Sequence, residues 1–219
     1  MEREMQLKAN AGVITANGDK VGEIDRVVID PKTDEVTHIV IRKGFLFTED
    51  KVVPVNWIST AGESVVLNAT KTMVDSLPHF EETQYIPRSD RRYPEEYAQS
   101  YYWYPSAGVN WWGDAGYRTL FGSSVPPYVK VTTRATPEGT IPLKEGAKVF
   151  SSDNQHVGSI ERVFADPDSQ RATHIVISAG LIFKEKKLIP TSWIDIMDED
   201  EVFLGVSSKF LDMLVNFEG

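Results

Sequence analysis

The chain has 219 residues, 41% hydrophobic and 25% charged, with a formal net charge of -9 and no cysteine. That length suits one large domain or two small ones. The missing cysteines exclude disulfides, thiolate nucleophiles and zinc–thiolate centres, and the acidic balance removes the basic footprint of a nucleic-acid binder.

In chain order, MEREMQLKANAG mixes acids and bases without the apolar core of a signal peptide. No later stretch approaches the roughly 20 apolar residues that span a bilayer, so a cytoplasmic protein is expected. GVITA reads as a short strand. Asn17-Gly18 follows, the dipeptide of a two-residue type I′ hairpin in which both positions take positive φ. Asp30-Pro31 opens the next turn, because Asp caps backbone N–H groups and Pro presets φ. Strands are then expected in VTHIVIRK, in KVVPVNWI after a bend at Gly44, and in VVLN after Gly62. TKTMVDSL reads as a short helix capped by Thr70 and stopped by Pro78.

The same series then recurs. Shifted by 136 positions, Val21–Ile58 lies without a gap on Val157–Ile194, and 19 of the 38 pairs are identical. Beyond one inserted residue the match resumes, pairing Asp75 with Asp212, Leu77 with Leu214 and Phe80 with Phe217. Two copies of one module of about 75 residues are implied, near the smallest size that folds on its own core. The division expected is 1–81 for the first module, 82–143 for a connecting segment and 144–219 for the second module. In each copy the run Thr-His-Ile-Val-Ile places its isoleucines on one strand face and His and Val on the other. Ile39, Ile41, Ile175 and Ile177 are therefore expected inside. The half-apolar face of His38–Val40 and His174–Val176 is expected to be covered by the terminal helix, the other module or the connecting segment.

Val-Gly-x-Ile-x-x-Val, Asp-Pro, Thr-His-Ile-Val-Ile, Gly and Pro-x-x-Trp-Ile fall in that order in both copies. In this the chain resembles the PRC-barrel family, over residues 8–81 and 144–218. The resemblance implies a mainly β protein with two small PRC-like β-barrels. Each would have about six strands and a short C-terminal helix, in a pseudo-two-fold arrangement. Members of the family serve as protein-binding adaptors in photosynthesis, ribosome assembly and cell division, and the family offers no catalytic motif to carry over.

Several residues are candidates for more than packing. His38 and His174 suit either a metal or proton site or plain strand histidines bonded to backbone or carboxylate; one per module falls short of a clustered ligand set. The acidic run Asp195–Glu201 has cation-binding oxygens, but it lacks the EF-hand spacing and glycine and reads as a solvated hairpin tip. Trp57 and Trp193, each three residues after a proline, read as packing. Residues 82–143 hold all eight tyrosines and three of the five tryptophans. From Pro94 a helix could carry Tyr97, Tyr101 and Tyr104 on one face. Three readings of this segment stay open: it covers the barrels, it presents a surface to a protein partner, or it stacks on sugars or lipid. Under the second, the partner-binding residues are Tyr97, Tyr101, Trp103, Tyr104, Trp111 and Trp112.

The function expected is a non-catalytic protein-binding adaptor or scaffold, an internal pseudo-dimer open to further oligomerisation. It needs no cofactor or metal and makes no direct nucleic-acid contact. One alternative is an accessory factor of ribosome maturation or RNA processing that acts through a basic protein. Another is an enzyme with a site shared between the barrels.

Overall fold

The computed structural model describes residues 4–43, 49–87, 128–179 and 185–218. The first-half elements are β1 (Met5–Lys8), β2 (Gly12–Thr15), β3 (Lys20–Asp30), β4 (Glu35–Lys43), β5 (Glu49–Pro54), β6 (Ile58–Ala61), β7 (Ser64–Leu67) and helix α1 (Lys71–Asp75). A ribbon follows, β8 (Glu81–Pro87) paired with β9 (Tyr128–Arg134). The second half repeats the series as β10 (Ile141–Lys144), β11 (Lys148–Phe150), β12 (His156–Ala165), β13 (Ala172–Ala179), β14 (Glu185–Pro190), β15 (Ile194–Met197), β16 (Glu201–Leu204) and helix α2 (Ser208–Asp212). The protein is mainly β, and α1 and α2 are short. Met1–Phe80 and Arg134–Gly219 form one compact unit, and Glu81–Thr133 forms another.

The larger unit contains two seven-stranded sheets. In one the path is β5-β4-β3-β2-β7-β6, and in the other β14-β13-β12-β11-β16-β15. Each half has seven strands and one helix where the sequence pattern implies about six strands and one helix; the additional strand is β1 or β10. Closure into a barrel does not appear in the strand pairing. Among the described residues β5 and β6 remain the ends of their path, because the chain passes between them through a 3-10 turn at Val55–Trp57. The equivalent turn in the second half is Thr191–Trp193.

The seventh strand of each sheet comes from the other half of the sequence. β1 pairs antiparallel with β12, setting Met5 against Ala165 and Lys8 against Arg162. β10 pairs with β3 in the matching register, Ile141 against Ile29 and Lys144 against Arg26. The cause lies in strand lengths. β4 covers one side of the 11-residue β3, but on the other side the four-residue β2 reaches only Lys20–Glu23. The remaining edge of β3 would stand open, and an unpaired apolar edge invites association. β10 fills it, as β1 fills the equivalent edge of β12. Leu7 and Leu143 are buried by the exchange, each contributing about 1.5–3 kcal/mol. The turns after β3 and β12 also meet: Val36 N–H donates to the Gln170 carbonyl at 2.8 Å, and Ala172 N–H donates to the Asp34 carbonyl at 2.7 Å. Between them Glu35 faces Arg171, its own equivalent, so a pseudo-two-fold axis passes there.

Side-chain alternation puts Ile39, Ile41, Ile175 and Ile177 in one core that runs through both modules. The opposite face of the first sheet is closed by Val28, Val40, Val52 and Phe80. Phe80 follows α1, so the end of the module supplies its own cover. Phe217 does the same in the second copy, meeting Phe164 edge-on at 5.9 Å. Thr70 caps α1 by accepting from Met73 N–H, and Ser207 caps α2 by accepting from Phe210 N–H.

The type I′ turn expected at Asn17-Gly18 is not formed. Only Gly18 has positive φ, at 86°, and Gly18 N–H donates to the Thr15 carbonyl at 2.9 Å. This is a type I turn followed by one left-handed residue. A single left-handed position explains why the second copy works with Asn154, φ 58°, since Asn tolerates that conformation. Gly22, by contrast, has no room for Asn. At φ 153° a Cβ on Gly22 would lie 2.5 Å from the Arg42 carbonyl oxygen.

Candidate functional site

A cluster of charged residues lies where the two modules cross. After β1 the chain leaves the second sheet for the first. Ala9 N–H donates to the Glu161 carbonyl at 3.0 Å, Asn10 takes φ 55°, and Asn10 N–H donates to the Ile24 carbonyl at 3.1 Å. After β10 the chain makes the opposite crossing: Glu145 N–H reaches the Asp25 carbonyl at 3.1 Å, Gly146 has φ 74°, and its N–H reaches the Ile160 carbonyl at 3.1 Å. A small cleft sits between the crossovers, lined by Leu7, Ala9, Asp25 and Arg26 and by their equivalents Leu143, Glu145, Glu161 and Arg162. It encloses about 20 Å³, room for about one water.

The charges around it are consumed in pairs. Asp25, 6% exposed, holds Arg42 at 2.8 Å. It also lies 3.1 Å from Arg26 Nε, which points off the hydrogen-bond axis, so that contact is an ion pair without a hydrogen bond. Arg26 also pairs with Glu199, whose other oxygen holds Arg134 at 2.8 Å. The Phe80 ring lies under both guanidinium groups, 5.0 Å from that of Arg26 and 5.7 Å from that of Arg134, within cation–π range. In the second copy Arg162, 5% exposed, donates to Gln6 at 2.7 Å and lies 3.7 Å from Glu63. Glu161 is paired with Lys186 at 2.6 Å. Glu145 accepts from Asn10 at 2.6 Å, and burial pushes its carboxyl above the usual range. For the buried Asp25 and Arg162, a charge without its partner would be costly.

The sequence candidates separate. His38 lies between Val28 and Pro54 in register, and His174 between Phe164 and Pro190. His38 Nδ1 is buried without a hydrogen-bond partner, and burial lowers the imidazole below its ordinary pKa. Among the described residues no three of His, Asp and Glu gather as a metal centre. Asp195–Glu201 spans the β15–β16 hairpin, as expected of a tip, though Glu199 is drawn into the seam. Trp57 and Trp193 pack against the core, and Trp193 meets Phe210 edge-on at 5.4 Å. Tyr97, Tyr101, Trp103, Tyr104, Trp111 and Trp112 lie outside the described residues, as does the helix expected from Pro94. Sequence reasoning missed Asp25, Glu199, Arg26 and Arg162 as a group. The available signal was an arginine kept in both copies beside buried valine.

Residues 10–74 match the family model of the PRC-barrel domain. That stretch of the chain is therefore similar to a PRC-barrel domain. The second module repeats that domain's strand order and registers at the same offset. No curated protein matches the chain. No helix among the described residues is long and apolar enough to cross a membrane.

Proposed function

We propose that this PRC-barrel protein is a non-catalytic adaptor of the cytoplasm, in which two modules form one platform and the aromatic segment recognises a protein partner. The observation that carries this reading is the reciprocal strand exchange. It uses the duplication to make a single two-fold body and spends the seam's charges on holding that body together. The enclosed volume of about 20 Å³ is small beside the several hundred Å³ of a typical small-molecule site. Tyr97, Tyr101, Trp103, Tyr104, Trp111 and Trp112 are the recognition residues, because Tyr and Trp dominate binding hot spots.

The test is affinity capture from native lysate with the intact chain and with a variant carrying Gly/Ser in place of residues 88–127. The replacement must stop at 127, since Ile141–Lys144 completes the first sheet. With folding verified by circular dichroism, a partner lost with the segment supports the assignment. A partner retained moves recognition to the modules, and capture of nothing by either chain contradicts the adaptor reading.

A further inference from the structure

The outer face of the second sheet carries a row that the first sheet lacks. Val149, Val202 and Leu204 point into the core, so Phe150 and Phe203, their neighbours along β11 and β16, point outward. Strand register sets Ile196 beside Phe203, Phe203 beside Phe150, and Phe150 beside His156. The Phe150 and Phe203 rings stack with centroids 5.2 Å apart, and Phe150 meets His156 at 5.6 Å. The row thus crosses four adjacent strands. Phe150 and Phe203 are half-buried, and Ile196 is 61% exposed.

The first module provides an internal control. In the same registers it has Thr60, Val66, Ile14 and Lys20. That copy forms the same sheet with smaller or polar groups, so folding does not demand the aromatic row. The hairpin bearing Ile196 also differs in charge. Asp195, Asp198 and Glu201 surround it, with Lys148 in register with Glu201, whereas Ser59–Ser64 of the first module has only Glu63. Glu199 and Asp200 are already paired, with Arg26, Arg134 and Lys144.

We propose that the Ile196–Phe203–Phe150–His156 row docks a basic segment of another protein with aliphatic or aromatic side chains. The inference rests on the adaptor reading and adds a second contact surface to it. An apolar centre with a charged rim is the usual composition of a protein interface. Lysine or arginine on the segment would meet the hairpin acids and the faces of the phenylalanines. A second copy of this chain is a poor occupant, because it would set one acidic hairpin against another.

The test uses the full chain and a synthetic peptide alternating Lys with Phe and Ile, followed by NMR titration. A control peptide carries Glu in place of Lys. The variant F150I/F203V/I196T installs the residues the first module uses in the same register, and E201Q/D198N removes rim charge alone. Expected results are shifts confined to the row with the Lys peptide only, affinity about tenfold weaker in the triple variant, and weakening in E201Q/D198N and at high salt. Undiminished binding to the triple variant, equal shifts on the first module, or no binding would overturn the proposal. So would a concentration-dependent dimer abolished by the triple variant, which would make a second copy the occupant. If lysate capture depends on residues 88–127 and ignores the triple variant, the adaptor reading stands and this surface falls. If a partner is retained without residues 88–127 and lost with the triple variant, the surface stands and the aromatic-segment reading falls.

Discussion

The two modules keep the same leucine, arginine and glycine at key places of the exchanged strands and diverge on their outer faces. Leu7 and Leu143, Arg26 and Arg162, Gly22 and Gly158 occupy equivalent places, and each serves the crossing strands or the close packing of β3 and β12. By contrast Ile14, Val66 and Thr60 become Phe150, Phe203 and Ile196 where the side chains face outward. The seam itself is not perfectly symmetric. Gln6 holds Arg162, whereas the equivalent position of the other copy is Pro142, and Arg26 is held by Glu199 instead. The leucines and arginines that join the copies are thus kept while polar groups around them change; the hairpin glutamates Glu63 and Glu199 each approach the arginine of the other module.

The comparison breaks most readily at the exchanged strands. Leu7→Ala and Leu143→Ala should each cost about 2–5 kcal/mol, and each should lower one common denaturant transition rather than split it in two. Next, Gly22→Ala should cost about 3 kcal/mol, since the left-handed φ and the Arg42 carbonyl both oppose a Cβ; urea unfolding measures it, and Gly158→Ala, at φ 150°, should fall in the same range. Glu199→Gln should cost about 2 kcal/mol by weakening the bonds to Arg26 and Arg134, again read by urea unfolding. A charged substitution at exposed Met213 should stay within about 0.5 kcal/mol.

Acid sharpens the contrast further. The Ser151 hydroxyl, with the Ser208 N–H and hydroxyl, holds the Asp153 carboxyl well below the usual carboxylate range. Its contribution is complete above the unfolded-state pKa near about 3.9 and is lost as pH falls toward the folded-state value. Asp153→Asn, which installs the equivalent Asn17 of the first copy, should flatten the acid limb of stability against pH. The smallest effect is at His38. Its folded-state pKa is depressed by burial, so its contribution is present above about pH 6.5 and declines as pH falls. His38→Phe should remove that slope in the same pH series.

Much of this was legible in the sequence because it is local. Thr70 and Ser207 announce their helices, and the Thr-His-Ile-Val-Ile alternation assigns the inner isoleucines. The strand exchange was not legible. Met5–Lys8 is too short for a periodicity, and its pairing with β12 spans most of the chain, so nothing nearby encodes it. Extending the 136-residue offset backwards would have matched Leu7-Lys8 with Leu143-Lys144 and Ala11 with Ala147. The Asn17-Gly18 reading failed because the dipeptide suits two turns and loop length decides between them. The ion-pair partners of Arg26 were hidden because Glu199 lies 173 residues away.

Native-state hydrogen exchange of the full chain tests the exchange of strands most directly. Amides of β1 and β10 that donate across the seam should share the protection of central β3 and β12 and open only with the whole unit. Fast exchange in β1 and β10 while β3 and β12 stay protected would show that the two copies fold separately and merely touch, contradicting the account.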